Sequence, residues 1–424
     1  MSAAALPAGP RPRRWRRLAA LAIALALILP VLLMVWLAPA PRAGRALLAL
    51  AGHALALELE AEGFDYRLRG TPQLELRDLV AREPGAPRAL LRARRVLLAL
   101  PWRTLRTRGA DLTVQRIELD APVLDLPALQ HWLAGRPPSA TRLPTLVDGL
   151  RVVDGRIDND AWKIEALAID LPALHPRQAL RLDVRGRYVA DALILPAALT
   201  LSLDTPQRLL ERQPARLSAR GRLEFAGEGW RMPAQVFLAG PLRIGRDSAL
   251  MQPVRLGLAA RYQATGGSTA FRLGLAAPMA FDQVTWRFAP ASVVLEGDPQ
   301  VPRANARGSF SLGARLRLQL AGEIAAWPAG LPALPAPLAA SRSPLTFSLA
   351  YDGAPDASGP AHLTLRRDAT ALEAGFRLPE MLTWLDAGAS GSPLPPLAGR
   401  LTTPHLVLDG VTLDGVQLQL DDAP

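Results

Sequence analysis

Cysteine is absent from the 424 residues, and lysine occurs once, as Lys163. The first absence excludes a thiol nucleophile, a disulfide framework and any cysteine-based metal centre. The second leaves no P-loop, because the single lysine follows no glycine-rich turn. The five histidines, His53, His131, His175, His362 and His405, are scattered, and none has a partner at metal-ligand spacing. Each reads as a surface or loop residue. A G-x-S-x-G elbow is also missing, and Ser390 sits in a Gly/Ser/Pro-rich stretch. The one carboxylate-rich spot, Asp154 to Asp160, fails as a calcium loop: read from Asp158, it puts Trp162 at the fifth position, Lys163 where glycine belongs and Ile169 where the bidentate glutamate belongs. A polar hairpin turn accounts for it better. Nothing in the sequence points to an enzyme, a metal or a cofactor.

Charge is the next bound. The formal net charge is +11, but Arg11, Arg13, Arg14, Arg16 and Arg17 are packed ahead of a charge-free stretch, Leu18 to Ala38. At about 1.5 Å per residue that stretch reaches about 30 Å, the hydrocarbon thickness of a bilayer. The basic flank puts the N-terminus in the cytoplasm and the body on the far side. Trp15 and Trp36 stand near its two ends, where indoles favour the headgroup layer. Ala38-Pro39-Ala40 has the small residues of a signal-peptidase site, but Pro41 follows and the apolar run is long, so the segment reads as an uncleaved anchor. The remaining arginines are dispersed and not interleaved with aromatics, which excludes a nucleic-acid groove.

Past the anchor the hydrophobic period becomes two. In Leu217 to Phe225 the polar side chains fall on one face and the apolar ones on the other. The same alternation recurs at Leu180 to Tyr188, Leu199 to Asp204, Val254 to Tyr262, Phe271 to Leu275, Val284 to Phe288, Ala314 to Leu320, Leu345 to Tyr351, Leu363 to Arg367 and Val416 to Leu420. Turn signals fall between such runs, among them Asp154-Gly155, Gly266-Gly267, Asp352-Gly353, Asp409-Gly410 and Asp414-Gly415. Helical patterns are few and short, at Pro127 to Ala134, Pro206 to Gln213 and Pro379 to Ala387, each opening with proline. The expected fold is mainly β: one membrane helix, then a long antiparallel meander. Leaving each strand-face leucine in water forgoes roughly 1.5–3 kcal/mol, so something must cover that face. A second sheet, giving a β-sandwich, is the answer the pattern alone favours; a curved, groove-like sheet holding acyl chains is the other, toward which the 5% aromatic content leans only slightly. If all the strands, about 25, formed one ladder, they would extend roughly 120 Å.

The segment after the anchor runs from a strand at Leu55 to Glu60 through Leu74-Glu75-Leu76-Arg77-Asp78-Leu79 and Leu91 to Leu100. It ends at Leu112 to Leu126, with Ile117-Glu118-Leu119-Asp120-Ala121-Pro122-Val123-Leu124 at its centre. This resembles the N-terminal region of AsmA-family proteins. Leu150 to Ile157 is similar to the family's recurrent hairpin, and Met381 to Leu385, Gly399-Arg400-Leu401 and Leu406 to Leu420 are similar to its C-terminal pattern. Longer members continue past the equivalent of Leu420 with further strands.

The resemblance implies a Gram-negative inner-membrane protein with a periplasmic body and a role in envelope lipid homeostasis and outer-membrane biogenesis. Larger relatives look like bridge-like lipid carriers with an apolar β-groove. The expected organisation is a cytoplasmic tail at 1–17, the membrane helix at 18–38, an AsmA-like region at 42–135, a β-meander body at 141–327, a Pro-rich linker at 328–344 and a C-terminal β section at 345–424. Leu182, Val184, Leu217, Leu223, Phe225, Leu316, Leu318 and Leu320 are the candidate groove lining, with phospholipid or another acyl lipid as ligand, the inner membrane as support and envelope proteins as further partners. The second hypothesis is a non-catalytic assembly scaffold with a self-packed β-sandwich.

Overall fold

The computed structural model describes residues 55–420, except 108–111, 135–142, 191–192, 228, 246–247, 265–266, 283, 329–333, 335, 340, 342, 388–395 and 409–410, together with 45, 48, 49, 52 and 53. The expected tail at 1–17 and membrane helix at 18–38 lie outside the described residues. Among the described residues no helix is long and apolar enough to cross a membrane.

The chain is mainly β. The first strands are β1 (Glu58–Glu60), β2 (Gly63–Arg67), β3 (Gln73–Arg82), β4 (Ala89–Ala99), β5 (Thr113–Val114), β6 (Arg116–Asp120), β7 (Val123–Asp125) and β8 (Thr145–Leu146). The meander proper is β9 (Leu150–Asp158), β10 (Lys163–Leu171), β11 (Leu180–Ala190), β12 (Leu193–Leu203), β13 (Ala215–Gly227), β14 (Trp230–Ile244), β15 (Ser248–Ala264) and β16 (Gly267–Asp282). It continues as β17 (Thr285–Gly297), β18 (Arg303–Leu312), β19 (Leu316–Ala326), β20 (Leu345–Gly353), β21 (Pro360–Arg367), β22 (Thr370–Arg377), β23 (Leu397–Leu408) and β24 (Val411–Leu420). Short helices are α1 (Trp102–Arg106), α2 (Leu126–Ala134), α3 (Pro206–Leu210), α4 (Ala336–Ala339) and α5 (Leu378–Ala387).

From β9 to β24 every strand pairs antiparallel with the next. At about 4.8 Å per step these sixteen strands run on the order of 70 Å. The N-terminal strands extend the same sheet: β1 and β2 share one side of β3, β3 pairs with β4, and β6 and β7 together fill the place between β4 and β9. Both pair with β9 in parallel. The sheet, expected to be wholly antiparallel, is therefore mixed at this point, because the connection from β7 to β9 is a long crossover through α2. Apart from the small parallel pair β5 and β8, the strands are hydrogen-bonded into one sheet.

Two expected turns are not turns. Asp154-Gly155 lies inside β9, where Asp154 has φ 54°, and the hairpin instead closes at Asn159, whose N–H donates to the Trp162 carbonyl at 2.9 Å. Asp414-Gly415 lies inside β24, with Gly415 at φ 66°. Residues that tolerate positive φ suit bulges as well as turns.

Strands β14 to β17 run through prolines; the expected runs of β15, β16 and β17 stop short of Pro253, Pro278 and Pro290, and β14 is not among the expected runs. Each register shift coincides with a proline: Pro241 between Ala239 and Leu242, Pro253 between Met251 and Val254, Pro278 between Ala276 and Met279, and Pro290 between Phe288 and Ala291. Proline within a sheet belongs at bulges, and bulges bend strands. Four neighbouring bends make a transverse crease. On its inner side Met251, Val254, Ala277, Met279 and Ala291 are buried, packed against Leu217, Leu238, Leu242, Leu275 and Phe288 of β13 to β17. One face of one sheet buries its own side chains in this way when it bends toward that face.

The ends of this apolar face are covered by the chain itself. Leu48, ahead of β1, packs on Leu76 and Leu79, and Ala128, Leu129 and Trp132 of α2 pack on the cluster of Leu57, Ala81 and Leu90. At the other end the stretch 328–344 leaves β19 and returns to β20, which pair directly through Ile324 and Leu345. Its Leu334 and Leu338 lie over Ile324, Leu345, Leu365, Leu372 and Leu401.

Candidate functional site

Paired residues on neighbouring strands point to the same face, so the register can be followed from strand to strand. One row runs Phe64, Leu76, Val96, Leu119, Val152, Ile169, Val184, Leu199, Gly221, Val236, Leu258, Leu273, Leu295, Ala304, Ile324, Leu345. It crosses sixteen strands without a polar side chain. A second row runs from Leu182 in β11 through Leu201, Ala219, Leu238, Leu256, Leu275, Val293, Ala306, Gly322, Phe347, Leu365, Leu372 and Leu401 to Leu418 in β24. A third, beyond the crease, links Leu242, Met251, Met279, Phe288, Phe310, Leu318 and Tyr351. The Phe288 and Phe310 rings stand 5.5 Å apart within it.

All eight candidate lining residues share this face and are half-buried. Val184 belongs to the first row, Leu182 to the second and Leu318 to the third. Leu217 stands opposite Leu203 and Gly240, Leu223 opposite Ala197 and Ala234, and Phe225 opposite Met232. Leu316 faces Leu312 and Gly353, and Leu320 faces Gly308 and Leu349. Sequence reasoning did not single out Leu199, Leu238, Leu256, Leu258, Leu273 and Leu275, which fill the middle of the rows. They lay in alternating runs, but only the register shows that they join. Between β11 and β18 the large side chains of the first two rows stay half-buried, less exposed than the apolar residues of the other face, where Phe237 is 47% and Val294 48% exposed.

The opposite face is charged. The adjacent row there reads Asp65, Glu75, Leu97, Glu118, Arg151, Asp170, Asp183, Thr200, Arg220 before reaching Phe237. Arg95 contacts Asp120 at 3.1 Å, Glu75 at 3.3 Å and Glu118 at 3.4 Å, and the hydrogen bond to Asp120 raises its pKa most. Glu165 accepts from Lys163 and Arg187, which hold its carboxyl below the usual range, Lys163 foremost. These pairs lie at the sheet surface, half-buried around Arg95, and are structural. No group of metal-ligating side chains occurs among the described residues. Chemically the apolar face can exclude water from hydrocarbon and do little else. Compared with known protein families, with curated proteins and with solved structures, the chain matches none.

Proposed function

We propose that this protein is an anchored envelope protein of AsmA-like type that binds or conducts lipid along its apolar sheet face, serving outer-membrane biogenesis and lipid homeostasis without covalent chemistry. The reading takes the N-terminus as cytoplasmic, the span 18–38 as the inner-membrane anchor and the body as periplasmic. The observation that carries it is the sixteen-strand apolar row from Phe64 to Leu345, capped at both ends by the chain's own helices and half-buried in between. Acyl chains laid across the rows would replace water at each leucine, about 25 cal/mol per Å² of apolar surface. The bends at Pro241, Pro253, Pro278 and Pro290 make the face a curved trough. Such a site recognises hydrocarbon by area, so phospholipid or another acyl lipid is the expected ligand.

The test is mass spectrometry of lipids that accompany the full chain when it is extracted from membranes in mild detergent. Acyl lipid retained above the level of an unrelated single-span protein supports the reading; background alone contradicts it. A second reading, assembly by strand addition, draws on β24. It pairs only with β23 among the described residues, and its one charged side chain is Asp414, with Val411 59%, Leu413 43% and Leu418 41% exposed. Natural edges usually carry charge or proline against pairing. Crosslinks from β24 to a protein, with no lipid on the full chain, would favour that reading.

A further inference from the structure

The charged face is interrupted once by four consecutive apolar positions. Arg220 pairs with Phe237, then Phe237 with Gly257, Gly257 with Gly274, and Gly274 with Val294, after which Asn305 resumes the polar row. Phe237 and Val294 project 47% and 48% exposed, with two side-chain-free positions between them. Glycine inside a central strand weakens it and commonly marks a close approach by something else. Here that approach is not made by the protein: a Cβ at Gly274 would meet nothing within 4 Å, and one at Gly257 would only touch the Phe237 Cβ at 4.0 Å. The floor opens into a cavity of about 810 Å³ that Arg220, Arg222 and Arg272 also line. None of the three forms an ion pair among the described residues, in contrast to Arg287, Arg315 and Arg317 at the far ends of the strands, which pair with Asp282 and Asp352. One carboxylate, Glu296, faces the same cavity, opposite Arg272 in register.

We propose that this glycine-floored cleft is a second binding site, on the polar face and separate from the apolar trough, for an anionic phospholipid monomer. Its glycerol and first methylenes lie between Phe237 and Val294, and its phosphate is held by Arg220, Arg222 and Arg272. Guanidinium forks match phosphate oxygens with two parallel hydrogen bonds. An exposed ring and valine beside a bare stretch of sheet suit hydrocarbon and would be unfavourable to leave wet. The excess of arginine over carboxylate selects net negative headgroups.

The experiment titrates the full chain in neutral detergent with dihexanoyl phosphatidylglycerol, dihexanoyl phosphatidylcholine and inorganic phosphate, followed by calorimetry. The expected order is phosphatidylglycerol at least tenfold tighter than phosphatidylcholine, with inorganic phosphate weaker than both. Arg222→Ala with Arg272→Ala removes the preference for phosphatidylglycerol. Gly274→Leu fills the floor and abolishes that binding while circular dichroism and melting temperature stay unchanged, since open space receives the side chain. Leu275→Arg, which points to the other face, leaves phosphatidylglycerol binding intact even where it disturbs the trough. Equal affinity for the two lipids, phosphate binding as tightly as phosphatidylglycerol, or phosphatidylglycerol binding that survives Gly274→Leu overturns the proposal.

Discussion

At Gly308 and Gly322, on adjacent strands, a Cβ would collide with the carbonyl oxygens of Gln319 and Asn305. These glycines let neighbouring backbones cross more closely than any side chain permits, a device for curving a sheet. Gly274 stands in a strand of the same sheet with open space around it. Valine at Gly308 or Gly322 is therefore expected to destabilise the fold by roughly 1–3 kcal/mol, as overpacking does, whereas Gly274→Val leaves it unchanged. Thermal melts of the full chain in detergent, read by circular dichroism, separate the two. Nothing in the sequence distinguishes these glycines, because each sits in an alternating run, and the neighbouring strand that each would strike is set by register alone.

Among elements, α4 and its flanks depend on the turn between β21 and β22. Arg367, nearly buried, donates from Nη1 to the Leu338 carbonyl at 2.6 Å and the Ser341 carbonyl at 3.0 Å. Its neighbour Asp368 accepts hydrogen bonds from the Ser341 and Ser343 side chains, Ser341 foremost, which hold its carboxyl below the ordinary 3.8. Replacing Arg367 with Met removes two charge-assisted bonds, each worth about 1.5–3 kcal/mol before compensation. Faster hydrogen exchange across 336–339 is expected, with the rest of the sheet unaffected. Because the folded-state pKa of Asp368 is depressed, its contribution is fully present above the ordinary value and is lost as pH falls through the lower, folded one. Exchange at 336–339, corrected for intrinsic rates, should thus quicken as pH drops below 3.8 in the native protein, and this acid sensitivity should disappear in Asp368→Asn.

The short helices were legible because proline stands in the first turn of α2, α3 and α5. Strands β15, β16 and β17 were read too short for the same residue's sake: Pro253, Pro278 and Pro290 look like strand ends, yet each occupies a bulge. α4 carried no periodic signal in four residues and takes its place from the burial of Leu338. That the eight candidate residues share one face was legible from alternation, but the continuity of the rows was not, since one wrong turn at Asp154 or Asp414 displaces every later pairing.

For the whole molecule, continuity decides what the apolar face can do. The middle of the second row, Leu238, Leu256 and Leu275, lies on consecutive strands. A single Leu238→Ala change should alter lipid retention less than twofold, because one leucine is a small part of the area. Arginine at all three positions would put charge across the trough at about 2.5–3.5 kcal/mol each on insertion scales, and lipid retained by the full chain should fall severalfold. The ends are fixed differently, closed over by Leu48 and α2 on one side and by Leu338 on the other, so the proposed function puts the lipid on β11 through β18. The most direct measurement is photo-crosslinking in living cells, with benzoylphenylalanine placed singly in the full chain at Leu199, Val236 and Leu273 on the apolar row and at Asp183 and Ser202 on the polar face. Lipid adducts at the first three positions and none at the other two are the predicted result; lipid-free protein at Leu199, Val236 and Leu273, or equal labelling of both faces, would contradict it.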